Sequence, residues 1–317
     1  MRFAMLGAGA LGTILGAHLI RAGHDVTMIA RGARAKWIAQ NGLAIHGLAN
    51  INTRCNVVEA GASLPEVDCF IVATKAIDTE VSLRPFADLQ VESVFSMQNG
   101  VLKDSLIADA FGSAAVLGSM ADFSGELLAS GDVLFTRNAG LDIGELNGSM
   151  SPRASELAKL INESGVRCTA VPDIQTREWS KFAAWVALGP IAALTRLNTW
   201  QYLTDERGAR LAVDLVREAC KLADAVKVPL MDLSPLPALK LRNSSDADAR
   251  EVVKQIGRKF ESDSPTHRMS VLQDIDRGSP LEIKELLGYA LDLAEKLNVP
   301  MPVLRTSYDL LSIGRSK

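Results

Sequence analysis

Along the first half of the chain, short apolar runs alternate with helix-length stretches. Residues 3–6, 26–30, 69–73, 94–97 and 116–118 are apolar on both alternating sides. That pattern suits parallel strands covered by helices on both faces of a sheet. Between the first two runs, residues 11–22 form an apolar, helix-length segment that ends at Gly23, a residue suited to closing a helix. Strand, helix and strand within about thirty residues make a βαβ unit. Residues 132–137 and 141–145 follow Gly131 and Gly140 and are expected to form a hairpin that closes the sheet. Residues 166–171 read as a last strand, ended by Pro172, and the domain boundary is placed there.

The second half carries a helical period throughout. Residues 176–188, 211–226, 247–260, 266–275 and 281–297 read as helices, and seven prolines from Pro229 to Pro302 punctuate their ends, where proline is tolerated. Residues 233–245 are the most loop-like stretch. The expected fold class is α/β: a Rossmann-type domain over residues 1–172, then an all-helical domain over residues 173–317, with a ligand cleft between them.

Composition narrows the function. Of 317 residues, 48% are hydrophobic and 22% charged, ordinary values for a globular protein. The 34 basic residues are outnumbered by 37 acidic ones, which argues against a nucleic-acid binder, whose phosphate contacts need a clustered positive surface. Cys55, Cys69, Cys168 and Cys220 lie far apart and read as reduced residues of a cytoplasmic protein. His18, His24, His46 and His267 show no metal-ligand spacing, so no metal is expected. The uncharged run 3–17 resembles the apolar part of a signal peptide. It is too short to span a membrane, continues into a second strand pattern, and carries glycines at positions a nucleotide-binding turn needs. No membrane association is expected.

Those glycines give the first chemical signal. Gly7-Ala8-Gly9-Ala10-Leu11-Gly12 fits G-x-G-x-x-G between a strand and a helix. Gly7 permits the tight turn, Gly9 lets the backbone approach a pyrophosphate, and Gly12 lets helix and sheet pack closely. The anion then sits on free N–H groups at the helix start. NAD enzymes usually place an acidic residue at the end of the second strand to hold the ribose 2′-hydroxyl. Here Arg31 stands there instead, and its guanidinium suits a 2′-phosphate, so NADP is the expected cofactor. Arg34 and Lys36 read as a solvated helix face.

Further motifs follow at strand ends and in the helical half. Ala73-Thr74-Lys75 follows the third strand and Gln98-Asn99-Gly100 the fourth, at the carboxyl edge where open α/β sheets bind ligands. Trp179-Ser180-Lys181, Ser270-Val271-Leu272-Gln273-Asp274 and Glu282 come later. Taken in this order over essentially the whole chain, the set resembles the ketopantoate reductase family. The resemblance implies a helical second domain like the C-terminal domain of 6-phosphogluconate dehydrogenase, and NADPH-dependent reduction of a 2-oxo acid. It implies Lys181 as general acid, Glu282 as a carboxylate of the same site that also serves the cofactor, Thr74, Lys75 and Asn99 beside the cofactor, and Ser270 as a substrate hydroxyl. The chemistry is coherent: a carbonyl receiving hydride develops alkoxide character and needs a proton and positive charge nearby.

Each of these residues also has a plainer reading. Lys181 can snorkel from an apolar helix or pair with Glu178. Ser279-Pro280-Leu281-Glu282 fits a capping box with proline at the first helical position. Ser270 fits a helix surface, Lys75 an ordinary surface charge, and Asn99-Gly100 a common turn. Two positions depart from the family pattern. Where the family has asparagines four and eight residues after its lysine, this chain has Trp185 and Gly189, with Pro190 retained. Lys181, Trp185 and Gly189 lie along one helical face, so a changed substrate site is expected, one that favours a more apolar or aromatic 2-oxo acid. Two alternatives stay open: a non-catalytic NADP(H)-binding sensor or partner-binding module on the same fold, and another dehydrogenase with a Rossmann and a helical domain. The apolar stripes of the helical half leave a homodimer open.

Overall fold

A computed structural model of the chain describes residues 1–59 and 61–313. The chain divides into two units, residues 1–175 and 176–317. The strands of the first unit are β1 (Arg2–Leu6), β2 (Asp25–Ala30), β3 (Leu43–Gly47), β4 (Ile51–Thr53), β5 (Asn56–Glu59), β6 (Cys69–Val72), β7 (Ser93–Ser96), β8 (Leu117–Leu127), β9 (Val133–Glu145) and β10 (Cys168–Ala170).

Four of the apolar runs become strands of one parallel sheet ordered β5-β2-β1-β6-β7. Their alternate side chains divide between two cores. Phe3, Met5, Ile71 and Phe95 enter one, and Ala4, Leu6, Phe70, Val72 and Val94 the other. A strand that sends both of its faces into apolar surroundings cannot show an alternating pattern, which is why these runs read as continuous. The helix Ala10–Arg21 links β1 to β2, and residues 12–19 within it are all buried.

A second sheet, ordered β10-β9-β3-β4 with β8 on the other edge of β9, was only partly foreseen. Residues 132–137 and 141–145 do not form a hairpin. They belong to one strand, β9, which pairs antiparallel with β8. The pairing passes from Asp122 opposite Gly140 to Phe123 opposite Asn138, so Gly140 marks a bulge rather than a turn. Residues 116–118 likewise open β8 instead of adding a fifth parallel strand, and only Val116 bridges Val94 of the parallel sheet.

The second unit is helical. Its helix Ile174–Thr195 runs through Pro190 without ending and is buried from Phe182 to Ala193. An apolar surface on all sides marks a core helix. Around it lie Glu206–Ala225, Asp246–Asp263, Ser270–Asp276, Tyr289–Lys296 and Pro302–Ser312. Four expectations shift here. The helix expected from 266 begins at Ser270, and the loop-like stretch 233–245 contains the short helix Ala238–Asn243. The helix expected from 281 opens with a π-helical turn, Lys284–Gly288, so Pro280 is not its first residue and the Ser279–Glu282 capping box is not its start. Glu282 instead offers its carbonyl oxygen to the Leu286 N–H at 3.0 Å. Glu218, nearly buried, accepts the Val303 and Leu304 N–H groups at 2.9 Å each and so caps the helix Pro302–Ser312 from a distance in sequence.

Candidate active site

The glycine turn has the geometry its spacing requires. Gly7 has φ +108°, and a Cβ there would lie 2.6 Å from the Thr74 backbone nitrogen. A Cβ on Gly12 would lie 2.1 Å from the Gly7 carbonyl oxygen. Neither position accepts a side chain without moving backbone. Gly9 differs: a Cβ there meets nothing within 4 Å, so hydrogen at this position keeps open space in front of the helix. Ala10 begins that helix, with Leu11 and Gly12 in its first turn, and no side chain caps it. Its first N–H groups are left to a ligand, and the helix dipole favours an anion there.

Around this turn lies a cavity of about 310 Å³ lined by Gly7, Ala8, Gly9, Arg31, Thr74 and Lys75, with Arg34 at its wall. Six of the residues foreseen from sequence are thereby brought to one place. Arg31 sits at the end of β2 as the exposed residue preceding the helix Gly32–Asn41. An anion-binding turn with an arginine at the β2 end and no carboxylate among the described lining residues fits a dinucleotide.

Arg34 is not the solvated residue its sequence position suggested, whereas Lys36 is exposed. The Arg34 guanidinium turns inward under the glycine turn. Its Nε donates to the Ala8 carbonyl at 2.8 Å, Nη2 to Thr13 Oγ1 at 3.0 Å, and Nη1 to the Gly131 carbonyl at 2.6 Å. Its guanidinium carbon lies 4.8 Å from the centre of the Trp37 ring, a cation–π distance. Burial draws the guanidinium pKa down from its ordinary value.

Asn99 stands at the end of the next strand, half-buried, and Gln98 beside it is the organising residue that the motif did not reveal. The Gln98 Nε2 group donates to Thr79 Oγ1 at 2.7 Å, the Lys75 carbonyl at 3.1 Å and Thr74 Oγ1 at 3.2 Å. Its Oε1 accepts from Ser96 Oγ at 3.0 Å. Gln98 thus ties the Thr74–Lys75 turn to the strand end that presents Asn99. Four residues further, Lys103 is buried and donates to Asp104 Oδ1 at 2.9 Å. An adjacent Lys-Asp pair gives no sequence signal of burial.

The second unit holds the remaining expected residues. Lys181 is half-buried on the helix Ile174–Thr195, immediately before the stretch where every residue is buried. Trp185 and Gly189 follow at four-residue steps, each step turning about 40° around the axis. The neighbouring Ser180 is held in place: its hydroxyl donates to the Thr176 carbonyl at 2.6 Å and accepts the Met231 N–H at 2.9 Å. Ser270 is exposed as the first residue of the helix Ser270–Asp276, and Glu282 is half-buried just before the π-helical turn. π-helical turns are rare and concentrate at functional sites.

All four cysteines are free thiols. Burial pushes Cys55 and Cys220 up to about 11 and holds Cys69 and Cys168 far above the ordinary thiol range. None is a ready nucleophile at neutral pH. Among the described residues, no cluster of His, Cys, Asp or Glu is arranged to hold a metal ion, and no helix is long and apolar enough to cross a membrane.

Comparison with known proteins agrees with this layout. Residues 3–148 match the family model "Ketopantoate reductase PanE/ApbA", and residues 173–314 match "Ketopantoate reductase PanE/ApbA C terminal". The 2-dehydropantoate 2-reductase of Archaeoglobus fulgidus is 27% identical, over 98% of this chain and 96% of that protein. The enzyme of the same name from Pyrococcus horikoshii is 28% identical, over 96% and 94%. Among solved structures, D-mandelate dehydrogenase with NADH and anilino(oxo)acetate superposes with a TM-score of 0.84, at 20% identity over 99% of this chain and 98% of that one. The 2-dehydropantoate 2-reductase of Methylococcus capsulatus gives 0.80, at 24% identity over 100% and 98%. At these identities the structural likeness establishes the fold alone, and the sequence matches establish the kinship. The chain belongs to the ketopantoate reductase PanE/ApbA family of oxo-acid-reducing oxidoreductases.

Proposed function

We propose that this chain reduces a 2-oxo acid to a 2-hydroxy acid with NADPH, that Lys181 is the general acid, and that the substrate carries a larger apolar or aromatic group than ketopantoate. The observation that carries the cofactor assignment is the cavity of about 310 Å³ in which Gly7, Gly9, Arg31, Thr74 and Lys75 meet. Gly7, Gly9 and the uncapped helix start would hold the pyrophosphate. Arg31 would take the 2′-phosphate, because no carboxylate at that position competes for the ribose. Gln98 fixes Thr74 and Lys75, and with them the strand ends beside which the nicotinamide would lie. When bound, the reduced nicotinamide supplies the hydride that the carbonyl carbon accepts.

The chain's own residues supply the rest. The Lys181 ammonium gives a proton to the carbonyl oxygen as negative charge develops there, and its own charge stabilises that oxygen before transfer is complete. Glu282 is assigned to the same site as a carboxylate that serves both cofactor and substrate. Lys75, Asn99 and Ser270 are assigned to hold the substrate's carboxylate and carbonyl groups. Trp185 and Gly189 put an indole and an empty position where amides would recognise ketopantoate. A site without those amides loses the strong discrimination that buried polar groups give. The ligand named for D-mandelate dehydrogenase, anilino(oxo)acetate, is itself an aromatic oxo acid, which is in keeping with an aromatic substrate on this fold.

Steady-state kinetics with a panel of 2-oxo acids, each with NADPH and with NADH, test the proposal. The expected result is preference for NADPH and a higher kcat/KM for aromatic or bulky aliphatic 2-oxo acids than for ketopantoate. Preference for ketopantoate over every apolar analogue overturns the substrate assignment, and preference for NADH overturns the cofactor assignment. We further propose that the chain acts in the cytoplasm on a small-molecule substrate, and that the helical half is where a homodimer would form.

A further inference from the structure

Trp185 is a large aromatic residue with only 8% of its surface exposed. A Cβ built on Gly189 would lie 3.1 Å from Cη2, 3.1 Å from Cζ3 and 3.2 Å from Cε3 of the Trp185 ring. Three consecutive atoms of the six-membered ring at nearly equal distance mean that the ring lies flat over the glycine. The pyrrole edge, which carries Nε1, is not among the ring atoms nearest that position. Nε1 is shielded from solvent and has no hydrogen-bond partner among the described residues. An unpaired buried donor is an unusual and costly feature in a folded protein. Indole N–H groups normally find an acceptor when they are buried.

Taken singly, neither residue is easy to explain. Glycine in the interior of a buried helix forfeits helix propensity, and its φ is not in the left-handed region. Tryptophan leaves a donor unsatisfied. Taken together they account for each other: a side chain at 189 would push the indole off the helix, and Gly189 gives it a seat. We infer that Trp185 and Gly189 form a single specificity element. Gly189 seats the indole, the ring face receives the flat apolar part of the bound 2-oxo acid, and Nε1–H is the donor kept for one of that acid's oxygens. This rests on the function proposed above and names the side of the substrate that the site reads.

Two measurements test it. The first is a stability cycle that needs no activity: thermal melts of the wild type, Gly189→Ala, Trp185→Ala and the double variant. Alanine normally stabilises a helix relative to glycine. Gly189→Ala is expected to lower Tm when Trp185 is present and to raise it when residue 185 is alanine. The same upward shift in both backgrounds overturns the coupling. The second is calorimetric titration of phenylpyruvate, and separately of ketopantoate, into the NADP⁺-loaded wild type and Trp185→Phe. Loading with oxidised cofactor prevents turnover. Phenylpyruvate is expected to bind the wild type more tightly than ketopantoate does. Trp185→Phe, which keeps an aromatic face and removes the N–H, is expected to weaken phenylpyruvate binding about tenfold, the effect of one lost hydrogen bond. Equal affinities of wild type and Trp185→Phe overturn the donor role, and failure of the wild type to bind phenylpyruvate overturns the specificity element. Binding as expected, with no reduction of any 2-oxo acid by NADPH, would instead refute the proposed reaction and leave the element standing.

Discussion

Arg34 offers a quantitative test of how the nucleotide turn is held. Arg34→Met keeps the aliphatic stem and removes all three donors that reach the Ala8 and Gly131 carbonyls and Thr13 Oγ1. Hydrogen bonds from a charged donor contribute roughly 1.5–3 kcal/mol each, but they share one side chain and are not additive. Part of the loss is offset because a half-buried cation no longer has to be desolvated. A net destabilisation of about 2–4 kcal/mol follows, read as a lower urea midpoint at unchanged slope. The effect on ligand binding is separable. Ala8 lies between the two glycines that line the cavity, so releasing its carbonyl loosens the anion-binding turn and is expected to weaken NADPH binding about tenfold, roughly 1.4 kcal/mol. Arg34→Lys retains the charge but reaches fewer of the three acceptors, and is expected to fall between wild type and Arg34→Met in both measurements. If Arg34→Met keeps the wild-type urea midpoint and NADPH affinity, the bracing role is refuted. A lower midpoint with unchanged affinity would confine the residue to stability.

Three further outcomes are expected. Lys181→Ala should retain NADPH binding by fluorescence titration while kcat falls about 10²- to 10⁴-fold, the range for loss of a general acid; retention of kcat would remove Lys181 from the chemistry. His18 is buried and its Nδ1–H donates to the Ile14 carbonyl at 2.8 Å; desolvation, the largest cause, lowers its pKa below the ordinary 6.5. The unfolded chain therefore binds the proton first, so stability is full above about pH 6.5 and declines as pH falls toward the folded-state pKa, by at most ~1.4 kcal/mol per pH unit; urea midpoints of wild type and His18→Gln between pH 5 and 7.5 should show a shallower slope in the variant. Glu145 is held by Arg153 through two contacts of 2.7 Å, and this hydrogen bonding, the largest cause, lowers its pKa. Its contribution is present above its unfolded-state pKa near 4.5 and is lost as pH falls through the lower folded value, so Glu145→Gln should remove part of the acid sensitivity seen in thermal melts between pH 5 and 3.

What the sequence disclosed, and what it concealed, follows from where each element is buried. β1, β2, β6 and β7 bury both faces, so each shows as a largely apolar run without alternation, interrupted only by small residues such as Thr27 and Ser96 that are themselves buried. β3, β4 and β5 are three to five residues long with exposed positions, too short for alternation to stand out from a loop. Gly140 divides β9 into two apparent runs, because glycine signals a turn and a bulge equally well. Pro190 normally stops a helix, so the pattern predicts an end at residue 188 where the helix continues to Thr195. Here the buried surroundings of residues 182–193 carry the helix through.

The two halves of the candidate site differ in legibility for a related reason. The nucleotide turn is specified by the absence of side chains at Gly7, Gly9 and Gly12, a constraint of backbone geometry that appears directly as letters at fixed spacing. What braces that turn depends on which way a long side chain bends. Arg34 lies three residues after Arg31, in the first turn of the short helix that Arg31 precedes, yet its guanidinium is turned beneath the turn at Ala8, and no periodicity separates it from exposed Lys36. The substrate side is harder still. The four-residue spacing of Lys181, Trp185 and Gly189 places them along one face, but it leaves the glycine looking like a lost contact. Only the distance from position 189 to the Trp185 ring turns that loss into a requirement. In this chain the two positions therefore belong together, and a change at 185 is expected to alter what position 189 tolerates.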